Sequence, residues 1–225
     1  MAATSPVVYS FYRSNIPTSI VSGQRAVFAK FGVPLEQHRD DTLTHGKWVD
    51  RIFSGGDSEI VVIADIDAFP LSRDAYERAC GAAADGAVVG LAQVANHKDP
   101  QRVYAGPMFL AVRRNVYEQL GRPGMERTSN SDVAQLLTDR ALSEGVPVEL
   151  IWPRFSIQPK WPLAGHGVFG IGTFYGEMEF FHLFQSSKRN SVRLFSAVAQ
   201  GALEGQHDFS SYLEIMRRRR FLGVF

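Results

Sequence analysis

The sequence predicts an α/β fold with a mixed, mostly parallel central sheet flanked by helices. Three observations lead there. The run Ile60-Val61-Val62-Ile63 has no polar alternation, which suits a strand buried on both faces in the middle of a sheet. Strand-like and helix-like segments alternate from Val7 to Val94, the order that builds right-handed strand-helix-strand units. Beyond residue 94 the pattern is more mixed, which predicts antiparallel strands in the second half.

Val7 to Tyr12 is β-branched and aromatic and predicts the first strand, closed by the polar turn Arg13-Ser14-Asn15. A helix follows Pro17 and Thr18; Ile20, Val21, Val27, Phe28 and Phe31 recur on one face, and Gly32 is placed to end it. A strand after Pro34 leads to His38-Arg39-Asp40-Asp41. His45 to Phe53 is helical again, with Trp48, Val49, Ile52 and Phe53 on one side and Gly55-Gly56 behind it. The apolar run then ends in Asp65-Ile66-Asp67. Ser72 is placed as an N-cap with Asp74 in the first turn, and Ala75, Ala79, Cys80 and Ala83 let a helix through Ala84 lie close to the sheet.

Ala87 to Val94 and Tyr104 to Val112 are the next strands. The second is opened by Gly106-Pro107, and a proline cannot donate in a central ladder, so this strand begins irregularly or bends. A short helix, Asn115 to Leu120, stops at Gly121 and Pro123. Ser131 to Glu144 has the clearest helical pattern, with Val133, Leu136, Leu137 and Ala141 on one face and Gly145 past its end. Val148 to Trp152 reads as a strand. Pro153 to Gly176 is rich in proline, glycine and aromatics and reads as a long functional loop. Glu179 to Phe184 is the last strand, and two helical stretches follow, ending in Arg217 to Arg220.

Hydrophobic residues at 45% and charged residues at 21% of 225 positions exclude disorder and predict a substantial core. A net charge of +1 argues against a nucleic-acid binder, which needs a clustered basic surface. The single cysteine, Cys80, excludes an internal disulfide framework. Met1 to Pro6 has neither a basic flank nor an apolar core, and no stretch reaches membrane-spanning length, so the expectation is a cytoplasmic protein. Arg217, Arg218, Arg219 and Arg220 follow Phe209, Leu213 and Met216, a pattern for a solvated face or for a basic helix touching the inner membrane face.

Asp65 and Asp67 close the central strand at its carboxyl end, where open α/β sheets place ligands. Two partly buried like charges are costly unless a metal or basic groups compensate them. Oxygen ligands favour magnesium or manganese. The plain alternative is a solvated turn at the end of a strand.

Other residues fall in order around that pair. Lys47 precedes the apolar strand; Tyr104-Ala105-Gly106-Pro107 opens a later one; Asp132 lies at a helix start; and His182 has Lys188 six residues on. This series resembles the metal-dependent nucleotide-sugar glycosyltransferases of the GT-A fold, most closely the retaining glycogenin and lipopolysaccharide-galactosyltransferase-like group. Tyr104 stands where that group usually has Asn, and Gln185 and Arg189-Asn190 stand where it often has glycine and Pro-Trp.

The resemblance implies one GT-A-like, Rossmann-like domain over 1–225, with a nucleotide-binding half at 1–112, an acceptor and metal-completing half at 113–190, and C-terminal helices at 191–225. It implies a hexosyltransferase that moves sugar from a nucleotide-sugar, a UDP-sugar, to a hydroxyl on a saccharide, lipid-linked or protein acceptor. Asp65, Asp67 and His182 would hold Mn2+ or Mg2+, with Asp67 the more direct ligand. Lys188 and Arg189 would neutralise the departing diphosphate. Asp132 would face the donor sugar or acceptor, or cap its helix as Ser129-x-x-Asp132; Asp132 and Lys188 are the catalytic candidates. Tyr9, Ser10, Arg13 and Asp40 would grip base and ribose, and Lys47 would touch phosphate or face water. Trp152, Trp161, His166 and Tyr175 are acceptor-side candidates.

Two rivals remain at this point. A haloacid-dehalogenase-like phosphatase also uses Asp-x-Asp after an apolar strand, but it predicts Gly-Thr after the second Asp and a later Asp pair. Here Ala68-Phe69 follows, and no adjacent Asp pair occurs downstream of Asp67. The other rival is a non-catalytic domain that binds nucleotide-sugars.

Overall fold

The computed structural model describes residues 5–217 apart from Asn96. The first half runs β1 (Val8–Tyr12), α1 (Thr18–Lys30), β2 (Leu35–Arg39), α2 (His45–Ser54), β3 (Ile60–Asp65), β4 (Ala68–Pro70), α3 (Arg73–Ala84), β5 (Val88–Ala95) and β6 (Asp99–Arg113). The second runs α4 (Arg114–Gln119), α5 (Gln135–Ser143), β7 (Val148–Ile151), β8 (Pro153–Pro162), β9 (Val168–Tyr175), β10 (Phe180–Leu183), α6 (Arg189–Glu204) and α7 (Phe209–Arg217).

Six strands form a sheet in the order β2-β1-β3-β6-β5-β7. β1 is parallel to β2 and β3, and β7 to β5, whereas β6 is antiparallel to both neighbours. This is the mixed, mostly parallel α/β sheet that the sequence predicts. The apolar run in β3 divides between two cores. Val62 and Ala64 join Val27 of α1, Tyr76 of α3 and Phe195 of α6. Val61 and Ile63 join Trp48 of α2, Tyr117 of α4 and Leu137 of α5. Successive side chains leave opposite faces of a strand, so helices on both faces require an unbroken apolar run. Burying one Val or Ile there stabilises the fold by roughly 1.5–3 kcal/mol. Two helix starts are as read: Thr44 Oγ1 accepts from Lys47 N at 3.2 Å and Ser72 Oγ from Ala75 N at 3.1 Å.

A second sheet, β4-β10-β9-β8, is antiparallel throughout. It corrects the reading of 153–176 as a loop. β8 is an edge strand, where proline costs no ladder partner on the open side, and register shifts absorb its irregularities. β9 is buried from Phe169 to Tyr175, so it too lacks polar alternation. Gly170 is required where the strands touch, because a Cβ there would lie 2.3 Å from the Gln158 carbonyl oxygen.

Two boundaries also move. α5 starts at Gln135 and not Ser131, since Ala134 is left-handed at φ 62° and the helix has no side-chain cap. The Ser129-x-x-Asp132 capping box is therefore absent. Thr128 Oγ1 instead accepts from Ser131 N at 3.0 Å, and Asp132 Oδ1 from Val133 N at 2.9 Å. β6 starts at Asp99, and Gly106-Pro107 lies inside it at a bulge: Gly90 pairs with Leu110 while Leu91 pairs with Gly106. The missing proline N–H is thus taken up by an interruption of the ladder. Arg217 ends α7, and Arg218 to Arg220, with the membrane-surface expectation they carry, lie outside the described residues. Among the described residues no helix is long and apolar enough to cross a membrane.

Candidate metal centre and adjoining cavities

β3 delivers Asp65 to the carboxyl end of the parallel strands, Asp67 follows in the turn, and β4 leads away beside β10. The pairing of Ala68 with His182 brings the distant histidine to the carboxylates. Gln24, fully buried in α1, pins the turn: its Nε2 donates to the carbonyls of Asp65 at 2.7 Å and Ala68 at 2.8 Å. Gln37 Nε2 donates to Gln24 Oε1 at 2.9 Å, and Leu183 N to Asp67 O at 2.9 Å. His182 Nε2 then lies 3.7 Å from Asp65 Oδ2 and 3.5 Å from Asp67 Oδ1. One ligand atom from each of the three falls within 4.8 Å of the others.

Burial raises the Asp65 pKa; His45 and His182 oppose the shift, while Asp67 and Asp132 add to it. The spacings are too long for the groups to satisfy one another as hydrogen bonds. An octahedral ion with bonds of about 2.1 Å sets neighbouring ligand atoms about 3 Å apart, so a small contraction around the ion accommodates it. His182 Nδ1 is buried without a hydrogen-bond partner, while Nε2 is aimed at the carboxylates. Two carboxylates and an imidazole are a donor set able to hold a divalent metal ion.

His45, at the start of α2, was not singled out by its sequence pattern. Its Nε2 is 3.3 Å from Asp65 Oδ1. Its ring stacks on Phe11 at 6.1 Å and Trp48 at 6.0 Å, and Trp48 Nε1 donates to His38 Nδ1 at 3.0 Å. The available signal was the histidine directly after an N-cap threonine, one helical turn before Trp48 on the apolar face. Gln24 gave a weaker one, a polar residue within the apolar face of α1.

A cavity of ≈ 330 Å³ is lined by Asp65, Asp67, Asp132 and His182 together with Arg127, Tyr104 and Gln93. Four residues singled out from the sequence thus meet at one place. Arg127 Nε lies 3.5 Å from Asp132 Oδ1. Burial raises the Tyr104 pKa, with Asp132 and Asp65 adding to it. Tyr175 is buried with its hydroxyl unpartnered, and burial, then Asp65, raises its pKa. A second cavity, of ≈ 290 Å³, shares Asp65, Asp67 and His45 and extends past Phe11 and Arg13. Arg13 Nη2 donates to the Leu43 carbonyl.

Other candidates sit elsewhere. Tyr9 and Ser10 line neither cavity: the Tyr9 ring lies 5.8 Å from His38, and Ser10 is fully buried. Asp40 Oδ1 accepts from Thr42 Oγ1 at 2.6 Å, Thr42 N at 2.7 Å and Leu43 N at 3.2 Å, bonds that lower its pKa, the Thr42 hydroxyl most. Lys47 is exposed on α2. Lys188 and Arg189 line a separate cavity that meets the first at Gln185.

No family model matches the chain, and no curated protein sequence matches it. Several solved structures are similar. One is Drosophila beta-1,4-galactosyltransferase 7, a mutant in complex with manganese, UDP-Gal and xylobiose, at 14% identity over 75% of this chain and 71% of that one, TM-score 0.46. Another is CMP:2-keto-3-deoxy-manno-octonic acid synthetase with CTP, at 11% identity over 66% and 90%, TM-score 0.40. A third is 2-C-methyl-D-erythritol 4-phosphate cytidylyltransferase from Thermus thermophilus, at 16% identity over 66% and 88%, TM-score 0.39.

Proposed function

We propose that this protein is a metal-dependent glycosyltransferase that moves a sugar from a nucleotide-sugar, a UDP-sugar, to a hydroxyl acceptor. The observation that carries the reading is the convergence of Asp65, Asp67 and His182 at the carboxyl end of the parallel strands, with ligand atoms within 4.8 Å. The sequence resemblance built on the same three residues supports it.

A bound manganese or magnesium ion supplies a Lewis acid for the donor diphosphate. The chain's own side chains do the rest. Asp65, Asp67 and His182 hold the ion, and His45 orients Asp65. Arg13 and Phe11 line the cavity through which the nucleotide enters, and Arg13 offers charge to its phosphates. Asp132, on the other cavity, accepts hydrogen bonds from sugar hydroxyls, and Arg127, 3.5 Å away, holds its carboxylate in place.

Calorimetry with UDP tests this directly. UDP binding is expected to require manganese and to be lost in Asp67→Ala. Metal-independent UDP binding that survives the substitution overturns the reading. Screening nucleotide-sugars for manganese-dependent hydrolysis identifies the donor.

A further inference from the structure

A cavity of ≈ 700 Å³ shares only Gln185 with the carboxylate cavity and has the opposite character. Its lining includes Lys160, Lys188, Arg189 and Arg193 and no carboxylate. Among the described residues none of these four forms an ion pair; the Lys160 ammonium lies 4.5 Å from the centre of the Trp161 ring.

The positive charge sits where α6 tolerates it least. Lys188 is the N-cap and makes no side-chain cap bond, Arg189 is the first helical residue, and the first turn holds no acidic side chain. Cations at this end oppose the helix dipole. Arg189 and Arg193, four residues apart, are a like-charge pair on one face. An anion in the cavity relieves both penalties. On the other wall, β8 is irregular where it borders the same space: Gln158 adopts φ 54°, and the register shifts between Pro159 and Trp161. Bulges of this kind re-aim side chains, and here both Gln158 and Lys160 line the cavity. Two arginine forks and two ammonium groups match a phosphate, which accepts paired N–H bonds and carries up to two charges.

We propose that this basic cavity binds a phosphate group carried by the acceptor, so that the acceptor is a phosphorylated saccharide. Its reacting hydroxyl passes Gln185 to reach the metal cavity. The anion site rests on the charges and the cavity; its assignment to the acceptor rests on the transferase reading.

Inorganic pyrophosphate titrated calorimetrically into protein stripped of metal on a chelating resin tests the site. Binding is expected in the wild type and in Asp67→Asn, and a loss of at least tenfold in a Lys160→Ala, Arg193→Ala double variant. Both residues are exposed, and circular dichroism checks that the variant folds. Absence of binding overturns the proposal, as does binding untouched by the double substitution. So does binding that appears only with manganese and vanishes in Asp67→Asn, because the anion then occupies the donor's place. In a second arm, a hexose phosphate is expected to displace pyrophosphate at lower concentration than inorganic phosphate, and an unphosphorylated hexose not at all. Equal displacement by inorganic phosphate and hexose phosphate overturns the acceptor assignment. Manganese-dependent UDP binding by the same preparation reports separately on the donor site.

Discussion

The carboxylate cavity and the basic cavity meet at Gln185, yet they are built in opposite ways. The first sets side chains of low exposure on strand ends and the turn between β3 and β4 and pins their backbone: His182 is 4% exposed in its side chain, Asp67 12% and Asp65 23%. The second sets exposed side chains on one helix turn and an edge strand, with no acidic group among them. A charge taken out of water has to be met by a fixed partner, so the proposed ion site of the first cavity depends on fixed geometry. Charges left in water are screened and mobile, so the second acts as a positive field that selects for anions.

The most severe test of this contrast is Asp67→Ala. Removing a direct ligand is expected to weaken manganese binding by more than about a hundredfold, beyond the 10–100-fold typical of residues that only orient a ligand. Paramagnetic resonance of free manganese measures it. A loss of only a few-fold would place the ion elsewhere. His45→Ala comes next, with an expected 10–100-fold loss of manganese affinity. Unchanged affinity in this variant would mean that the backbone alone orients Asp65.

Gln24→Leu strands the carbonyls of Asp65 and Ala68, which its amide now satisfies at 2.7 and 2.8 Å. The expected cost is about 1–3 kcal/mol in urea unfolding, because a buried acceptor then loses its partner. A neutral result would show that water replaces the amide and that the turn is less dry than its burial indicates. Salt separates the two cavities more gently. Raising ionic strength from about 0.1 M to about 1 M shortens the screening length from about 10 Å to about 3 Å. Pyrophosphate binding at the basic cavity should fall clearly, and manganese binding much less; parallel losses would erase the distinction.

Cys80 supplies the smallest effect and a control. Burial pushes its thiol up to about 11, against the pull of its hydrogen bond with Tyr76. The folded chain should therefore react slowly with thiol reagents near neutral pH, and a variant that reacts fast has lost its core. The sign for stability follows from protons bound: above the ordinary value of 9.0 the unfolded chain ionises this thiol while the native chain does not. The associated stability is present below 9.0 and is lost as pH rises to about 11.

The six-stranded sheet was legible because its signals are local. The run in β3 reads as buried on both faces, and Ser72 marks a helix start within a few residues. The β8-β9 hairpin was not, since prolines on an edge strand and glycines at a close crossing resemble a loop until the partner strand is known. Lys188 and Arg189 were read as cations facing the leaving diphosphate, but they line a cavity apart from the carboxylates. Their lining of that cavity with Lys160 depends on an irregularity in β8 that pattern alone does not show.

Residue chemistry in the sequence determined which groups are able to hold an ion: two carboxylates closing an apolar strand and a late histidine. Only the tertiary structure decided how they meet. The pairing of β4 with β10 sets His182 opposite Ala68, and Gln24 in α1 fixes the carbonyls on either side of Asp67. Ligation depends on distances between atoms far apart in the chain, and those distances are set by strand register and buried hydrogen bonds, which no local pattern encodes.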